Sequence, residues 1–281
     1  MKQKTMKPLK DLNLTDRFLF DAVAEDPQAH EAMLRIILGR EIHLGATNQT
    51  EKELGVSPSV RSIRMDVYAL DDEDETAYNT EMQNKKSQDI PKRSRYYQSM
   101  MDTSLLEPGI PHYNELKDSC IIMITTFDPF GYDRYLYTFV PRCEEEPECT
   151  LHDGTVRIFV NTKGTNEEEV SPELVEFLRY VEDTTDELAQ QSESELLKRI
   201  HDQVCKVRKS EEMGVRYMQA WEERYYELEE AKEDGRQDHL RGQVQKKLDK
   251  GLSLEEIADM LEEDVEIIRE LAEELGLPEE S

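Results

Sequence analysis

The sequence predicts an α/β fold in which a mixed sheet is flanked by helices and followed by an acidic all-helical C-terminal extension. Two observations predict the sheet. Apolar and polar residues alternate through 63–70 and 78–83, and the segment 118–126 contains the uninterrupted apolar run 120–124. A third observation predicts the extension, because apolar residues recur at helical spacing among many Glu and Lys side chains after Gly164. The 281 residues suffice for one core domain with appendages.

The sequence of the first half of the chain predicts helices, then strands, a helix and further strands, which is an order compatible with a mixed sheet flanked by helices. An apolar stripe over 15–39 begins at a Thr15 cap and ends at Gly39, and Asp26-Pro27 divides it into two helices. The other elements predicted here are a short strand at about 41–46, a helix at about 88–106, and strands at 118–126, 134–140 and 156–161. The strand at 118–126 is expected at the centre of the sheet, because buried parallel strands are apolar on both faces.

The most informative segment is a predicted hairpin over residues 63–83. Its two strands are separated by the five acidic residues 71–75, which indicate a solvated turn. If the turn is centred between Glu73 and Asp74, Asp66 lies opposite Glu81, with Cβ atoms about 4.5–5.5 Å apart. Two like charges so placed destabilise a sheet, and a divalent cation between them removes that cost. Hard oxygen ligands of this kind suit magnesium.

The hairpin also resembles the core of the PD-(D/E)XK nucleases, in which an Asp on one strand precedes Glu-x-Lys on the next. Here the second element is Glu81-Met82-Gln83, so Gln stands where Lys is usual. Further segments resemble the PD-(D/E)XK family transposases, also called recombination-promoting nucleases; they are residues 14–20, 93–98, 126–131 and 158–164. The resemblance extends from about residue 7 to about residue 190. It implies a restriction-endonuclease-like fold and a metal-dependent DNA endonuclease active in recombination, mobile-element activity or phage conflict.

The resemblance and the hairpin together define one candidate catalytic site. Asp66 and Glu81 are the expected metal ligands, and the backbone carbonyl of Met82 is expected to add an oxygen. The expected ion is Mg²⁺, with Mn²⁺ as the alternative. Gln83 is expected to orient the attacking water by hydrogen bonding, without the charge of Lys. The alternative for the two carboxylates is an ordinary solvated sheet face.

A carboxylate of the first helix is a further candidate ligand. Asp16 is the first choice, and Asp21 the second. The alternative is that Asp16 only caps the helix or complements its dipole.

The basic cluster of the sequence directly follows the proposed site, between residues 84 and 97. The candidates for contacts with DNA phosphates are Lys85, Lys86, Lys92, Arg93, Arg95 and Tyr97. Lys and Arg reach phosphates on both sides of a scissile bond, and Tyr stacks or donates. The alternative is that these cations only neutralise the acidic turn.

The charge of the chain limits how it can bind nucleic acid. The net charge is −28, of which about −5 falls before residue 143 and about −23 after it. Because nucleic-acid binders are usually basic, any DNA contact is expected to be local and metal-assisted. Two rival functions remain: a weak or inactive family member that binds DNA or protein, and an RNase or nucleotide hydrolase that uses the same carboxylates.

The predicted domain organisation is a nuclease-like core at 1–165, an acidic helical extension at 166–245 and a two-helix tail at 246–281. Helices are expected at 172–187 and 194–232, with a break near Gly214. They either pack on the core or hold two copies together. The tail begins with a Ser-x-x-Glu capping box and resembles a helix-turn-helix. Its second helix, ending at Gly276, is acidic, which favours a helical cap or oligomerisation element over DNA binding.

The expected location is the cytoplasm. The four cysteines include no C-x-x-C pair, and the N-terminus has no apolar segment of the kind found in secretion signals. The longest apolar run is too short to span a membrane. A reduced setting without a membrane partner is therefore predicted.

Overall fold

The computed structural model describes residues 6–45, 49–54, 63–73, 75–106, 109 and 111–275. The strands in these ranges are β1 (Gln49–Leu54), β2 (Ile63–Leu70), β3 (Ala77–Gln83), β4 (Ser119–Thr125), β5 (Leu136–Phe139) and β6 (Thr155–Asn161). They form a six-stranded sheet in the order β1-β2-β3-β4-β6-β5. β4 pairs in parallel with β3 and β6, and the other pairs are antiparallel. The predicted mixed sheet, flanked by helices, is confirmed.

The helices of the described residues are α1 (Arg17–Ala24), α2 (Pro27–Leu38), α3 (Ile90–Leu105), α4 (Pro172–Glu182), α5 (Asp186–Gln191), α6 (Glu195–Lys209), α7 (Glu211–Leu248), α8 (Leu254–Leu261) and α9 (Val265–Glu274). The break expected near Gly214 lies instead at Ser210. Ser210 has an extended backbone and its hydroxyl accepts from the Met213 amide, so it ends α6 and caps α7. Within the described ranges, no helix combines the length and apolarity that a bilayer crossing requires.

The predicted division of the first helical stripe at Asp26-Pro27 is confirmed. The Asp26 carboxylate accepts from the Ala29 amide at 2.9 Å, and Pro27 occupies the first helical position, where its missing N–H costs nothing. α2 ends at Gly39, whose φ of 64° is left-handed and favours glycine.

The hairpin has the predicted register. β2 and β3 pair from Leu70–Ala77 to Val67–Thr80. The strand expected at 41–46 was wrong: its described part contributes only an isolated bridge at Leu44. The outer strand is β1, which was not predicted because its Glu and Lys residues have low strand propensity. Pairing with the open edge of β2 holds this polar segment extended.

β4 is the central strand that its apolar sequence predicts, and all seven of its residues are buried. Its alternate side chains enter two hydrophobic clusters, as period-two geometry requires. Ile122 and Ile124 join the cluster formed with α1, α2, α4 and α6, whereas Ile121 and Met123 join the one formed with α3. The helices therefore cover both faces of the sheet.

One compact unit is built around the sheet and extends to Tyr217. Phe177 of α4 and Ile200 of α6 are fully buried in the same cluster as Phe20 of α1. Of the two arrangements expected for this region, packing on the core is the one observed for α4–α6.

The second compact unit begins at Met218 and contains the rest of α7 with α8 and α9. The predicted capping box is present: the Glu256 amide donates to Ser253 Oγ at 3.3 Å, and the Ser253 amide donates to the Glu256 carboxylate at 2.9 Å. Gly276, the predicted end of the last helix, lies outside the described residues. The small core of this unit consists of Val244, Ile257, Ala258, Ile268 and Leu271.

Candidate metal centre and nuclease site

Asp66 and Glu81 meet at the point where the β2–β3 backbone pairing ends. The register continues from Val67–Thr80 to place Asp66 opposite Glu81. There the Asp66 amide donates to Glu81 Oε1 at 3.0 Å, and the Met82 amide donates to Asp66 Oδ2 at 3.2 Å. Each carboxylate therefore accepts a hydrogen bond from the backbone of the other strand. Both residues are only 2% exposed, so this is not an ordinary solvated sheet face.

The buried pair changes the protonation of Glu81. Burial and the negative charge of Asp66 raise the pKa of Glu81 to about 8. Hydrogen bonds from the Asp66 amide and from Asn79 Nδ2, at 3.1 Å, lower the pKa without offsetting that rise. Sequence reasoning gave Asn79 no role, although it shares a strand face with Glu81 two residues away. Glu81 therefore binds a proton more readily than an exposed glutamate does when no cation is added.

Arg17 is the residue of this site that sequence reasoning missed. As the first residue of α1, it forms a close ion pair with Asp66 through Nη2, and its Nε lies 3.5 Å from Asp21 Oδ2. The start of α1 is linked to the end of β3 because Asn84 donates to the Thr15 carbonyl at 2.9 Å. No sequence pattern indicated this contact, since residue 17 is far from the hairpin along the chain.

The structure distinguishes the two candidate carboxylates of the first helix. The Asp16 carboxylate accepts from the Phe18 amide at 3.0 Å and caps α1. Asp21, which is 8% exposed, is linked to Asp66 through Arg17. The capping alternative thus describes Asp16, and the carboxylate joined to the hairpin network is Asp21.

Gln83 lies beside Glu81 on the same strand. Its Nε2 is 3.5 Å from Glu81 Oε2, at the outer limit of a hydrogen bond, and the side chain is half-buried. The Gln83 carbonyl accepts from the Thr126 amide at 3.1 Å, which anchors the end of β3. The side chain can turn toward the solvent without losing a strong contact.

The predicted phosphate contacts divide into two groups. Lys85, Lys86, Lys92 and Arg95 are exposed. Arg93 and Tyr97 are half-buried on α3, with the guanidinium 5.8 Å from the centre of the tyrosine ring. Within the described ranges, Nε and Nη2 of Arg93 are buried without a hydrogen-bond partner.

The pKa of Tyr97 indicates that α3 lies near the two carboxylates. Its pKa is raised to about 12 by burial and by the negative charges of Glu81 and Asp66, against the opposing charges of Arg93 and Arg17. Its hydroxyl therefore stays protonated and can donate a hydrogen bond. The fold thus brings Arg93 and Tyr97 toward the carboxylate pair, whereas the other four predicted residues stay on the surface.

The donor set fits a divalent cation with hard oxygen ligands. The two buried carboxylates offer acceptor sites beyond those used by the Asp66 amide, the Met82 amide and Asn79, because each ionised carboxylate has about four lone-pair positions. Burial is the main cause of the raised pKa of Glu81 and the charge of Asp66 adds to it, while the charge of Arg17 lowers that pKa without cancelling the rise. A divalent ion supplies the missing charge and suits oxygen donors of this kind.

The family comparison agrees with this geometry. The model of the PD-(D/E)XK nuclease family transposases matches residues 46–237, and the chain belongs to that family. The matched region includes Asp66, Glu81 and α3, but begins after Arg17 and continues beyond the expected limit near residue 190. Nucleases of the PD-(D/E)XK class generally use divalent metals. Neither the search of curated proteins nor that of solved structures returned a match.

Proposed function

We propose that the chain is a Mg²⁺-dependent endonuclease that hydrolyses DNA phosphodiester bonds in recombination or mobile-element activity, with Mn²⁺ as an alternative ion. The observation that carries the proposal is the buried pair Asp66 and Glu81, held face to face on adjacent strands with the pKa of Glu81 raised. Perturbed carboxylates of this kind concentrate at functional sites. Membership of a nuclease family gives the reaction class.

The proposed ligands are Asp66, Glu81 and the backbone carbonyl of Met82. The Met82 amide points toward Asp66, and the N–H and C=O groups of one strand residue point to the same side, which supports a Met82 carbonyl directed at the pair. When bound, the ion polarises the phosphoryl group and lowers the pKa of a coordinated water. Glu81 gives up its proton to act as a ligand.

Arg17 supplies the positive charge that Gln83 does not. Its guanidinium, already beside Asp66, is permanently protonated, so it stabilises negative charge on the phosphate but cannot accept the proton of water. The Gln83 amide orients the water by donating and accepting hydrogen bonds.

The DNA backbone is positioned locally, against the overall negative charge of the chain. Arg93 presents a guanidinium whose Nε and Nη2 lack partners among the described residues, and Tyr97 presents a neutral hydroxyl. The exposed cations Lys85, Lys86 and Lys92, with Arg95, extend this surface along the loop and the first turns of α3.

Supercoiled-plasmid nicking with added Mg²⁺ or Mn²⁺ tests the proposal. Wild-type protein should nick the plasmid with either ion and not after chelation, and Asp66→Asn and Glu81→Gln should lose the activity. Glu144→Gln is the matched control, because Glu144 is exposed and outside the site. Metal-independent nicking, or nicking retained in both site variants, contradicts the proposal.

A second candidate function is a catalytically weak or inactive family member that binds DNA or protein. The specific observation that favours it is the close Arg17–Asp66 ion pair together with Gln83 in the place of Lys. A mobility shift of DNA without nicking at any metal concentration would identify this function. Parallel assays with RNA and nucleotides distinguish the third candidate, an RNase or nucleotide hydrolase.

We also propose that the chain forms homo-oligomers through its helical C-terminal half. On α7, Val215, Tyr226 and Leu228 are at least half exposed, and a second copy of the chain would cover these apolar side chains. Light scattering of the full chain and of a chain ending at residue 217 tests this. A monomeric full-length protein contradicts it.

A further inference from the structure

A second group of metal-ligating side chains lies away from the hairpin, on two consecutive helices of the sheet-containing unit. His201 and Cys205 are four residues apart on α6, which places them on one face of the helix. Asp186 is the first residue of α5, and Thr185 caps that helix by accepting from the Leu188 amide. The connection between α5 and α6 brings the carboxylate beside the other two side chains.

Two of the three distances between these groups match the edges of a metal coordination polyhedron. Cys205 Sγ lies 3.4 Å from His201 Nε2, and Asp186 Oδ1 lies 3.6 Å from the same nitrogen. The three ligand atoms all lie within 4.8 Å of one another. A tetrahedral zinc ion with bonds of about 2.0–2.3 Å places its ligand atoms roughly 3.3–3.6 Å apart. Only small movements are needed to admit an ion at the centre.

A buried tyrosine fixes the imidazole in the orientation that ligation requires. The Tyr180 hydroxyl is 2.7 Å from His201 Nδ1, and Tyr180 is fully buried. When Nδ1–H donates to this hydroxyl, Nε2 keeps its lone pair toward Cys205 and Asp186. Metal-bound histidines are commonly held by such a contact on their other nitrogen.

Access and charge also suit an exchangeable ion. The Asp186 side chain is 67% exposed and that of His201 is 15% exposed, so the group opens to solvent on the Asp186 side. The opening leaves a coordination position for water. The mixture of thiolate, imidazole and carboxylate suits Zn²⁺ and is poorly matched to Mg²⁺, which prefers oxygen ligands.

We propose that Asp186, His201 and Cys205 form a zinc-binding site separate from the hairpin carboxylates, with water as the fourth ligand. On binding, the Cys205 thiol forms a bond to the ion through sulfur and releases its proton to solvent. The ion ties α5 to α6. Because α6 packs against α1 and α2, the bound ion also stiffens the contacts among these helices. Arg17, the first residue of α1, contacts Asp66.

Calorimetric titration of the full-length Asp66→Asn chain with Zn²⁺ tests the proposal without interference from the hairpin. One equivalent should bind, and further replacement of His201 by Gln or of Cys205 by Ser should weaken binding at least tenfold. Cys149→Ser is the matched control, because Cys149 is an exposed free cysteine outside the group. Asp186→Asn provides a variant at an exposed position, so it tests the site even if a substitution on α6 impairs folding.

Cobalt substitution supplies a spectroscopic readout of the ligands. Co²⁺ in the proposed site should show a thiolate charge-transfer band in the near ultraviolet and strong visible bands of tetrahedral geometry. Cys205→Ser should abolish the charge-transfer band, and Tyr180→Phe should keep the band while weakening affinity about tenfold. Absence of zinc binding, or binding of unchanged strength in the His201, Cys205 and Asp186 variants, would overturn the proposal.

Discussion

The hairpin carboxylates Asp66 and Glu81 and the acidic helices beyond Tyr217 carry the same chemical groups in opposite surroundings. In the hairpin, burial raises the pKa of Glu81 to about 8. On α7, Glu233 is exposed, and its hydrogen bond and ion pair with Arg236 lower its pKa. The difference teaches that the number of acidic residues does not define a site. What singles out the hairpin is that its two carboxylates are buried close together. Water does not screen the repulsion between buried charges, so their pKa values are perturbed.

The largest expected effect comes from removing either buried charge. Asp66→Ala or Asp66→Asn, and likewise Glu81→Ala or Glu81→Gln, should lower DNA cleavage by at least about 10²-fold, as expected when an electrostatic group is removed from a preorganised site. On the acidic helices, Glu230→Gln and Glu270→Gln should leave cleavage within about twofold, because surface substitutions have small effects. Plasmid nicking under one metal concentration measures all of them. Equal losses in both regions would break the comparison.

The next effect concerns Arg17, which partly neutralises the buried pair. Arg17→Met should lower cleavage by roughly tenfold to a hundredfold, because it removes the fixed positive charge that we propose stabilises the phosphate. It should also raise the pKa of Glu81 further, since the Arg17 charge lowers that pKa. Arg236→Met, which removes an exposed arginine paired with Glu233, is the matched control. Cleavage rates over a pH series measure both consequences.

An unchanged cleavage rate in Arg17→Met would show that the ion pair with Asp66 is only structural. Arg17→Lys should retain more activity than Arg17→Met, because it keeps the charge while losing the fork of the guanidinium.

The raised pKa of Glu81 predicts a pH dependence that the exposed acids do not share. In the folded, metal-free chain Glu81 keeps its proton to about pH 8, whereas the unfolded chain releases it near its usual value. The folded state therefore binds more protons in that window, and this contribution to stability decreases as pH rises from about 4.5 to 8. Calorimetric melting of chelated protein should show a decline that is weaker in Glu81→Gln.

Metal binding should show the opposite trend with pH. A cation competes with the Glu81 proton, so affinity for Mg²⁺ should increase up to about pH 8 and binding should release protons. Titration in buffers of different ionisation enthalpy counts those protons. A pH-independent affinity with no proton release would contradict the assignment of Glu81 as a ligand.

The smallest effect is expected from Gln83→Lys. This substitution supplies the charge usual in this class of nuclease and should preserve or modestly increase cleavage, because it favours negative charge on the phosphate. Single-turnover cleavage compared with Gln83→Leu as the matched control measures it. A loss as deep as that of Asp66→Ala would show that Gln83 has a role that Lys cannot fill.

The sequence determined the hairpin register, because register is local information. Alternation on either side of the acidic run 71–75 assigns each residue to one face of the sheet, and a turn centred between Glu73 and Asp74 then gives the register. That pairing placed Asp66 opposite Glu81, as observed. The apolar run of β4, the Asp26-Pro27 break and the Ser253 capping box were predictable for the same reason.

The outer strand, the Arg17–Asp66 contact and the packing of α4–α6 were decided by the tertiary structure alone. Each of them depends on which surfaces of the folded chain are available for contact. β1 becomes a strand because β2 offers an open edge, although its own residues favour no strand. Arg17 reaches Asp66 because α1 begins beside the end of β3, a long-range contact without a sequence pattern. Likewise, α4–α6 join the core because their apolar faces pack on the helices and sheet of the same chain. The sequence shows that these faces are apolar, but not whether they pack on this core or on a second copy of the chain. Local periodicity fixes which face of an element is apolar, and only the folded chain determines what that face contacts.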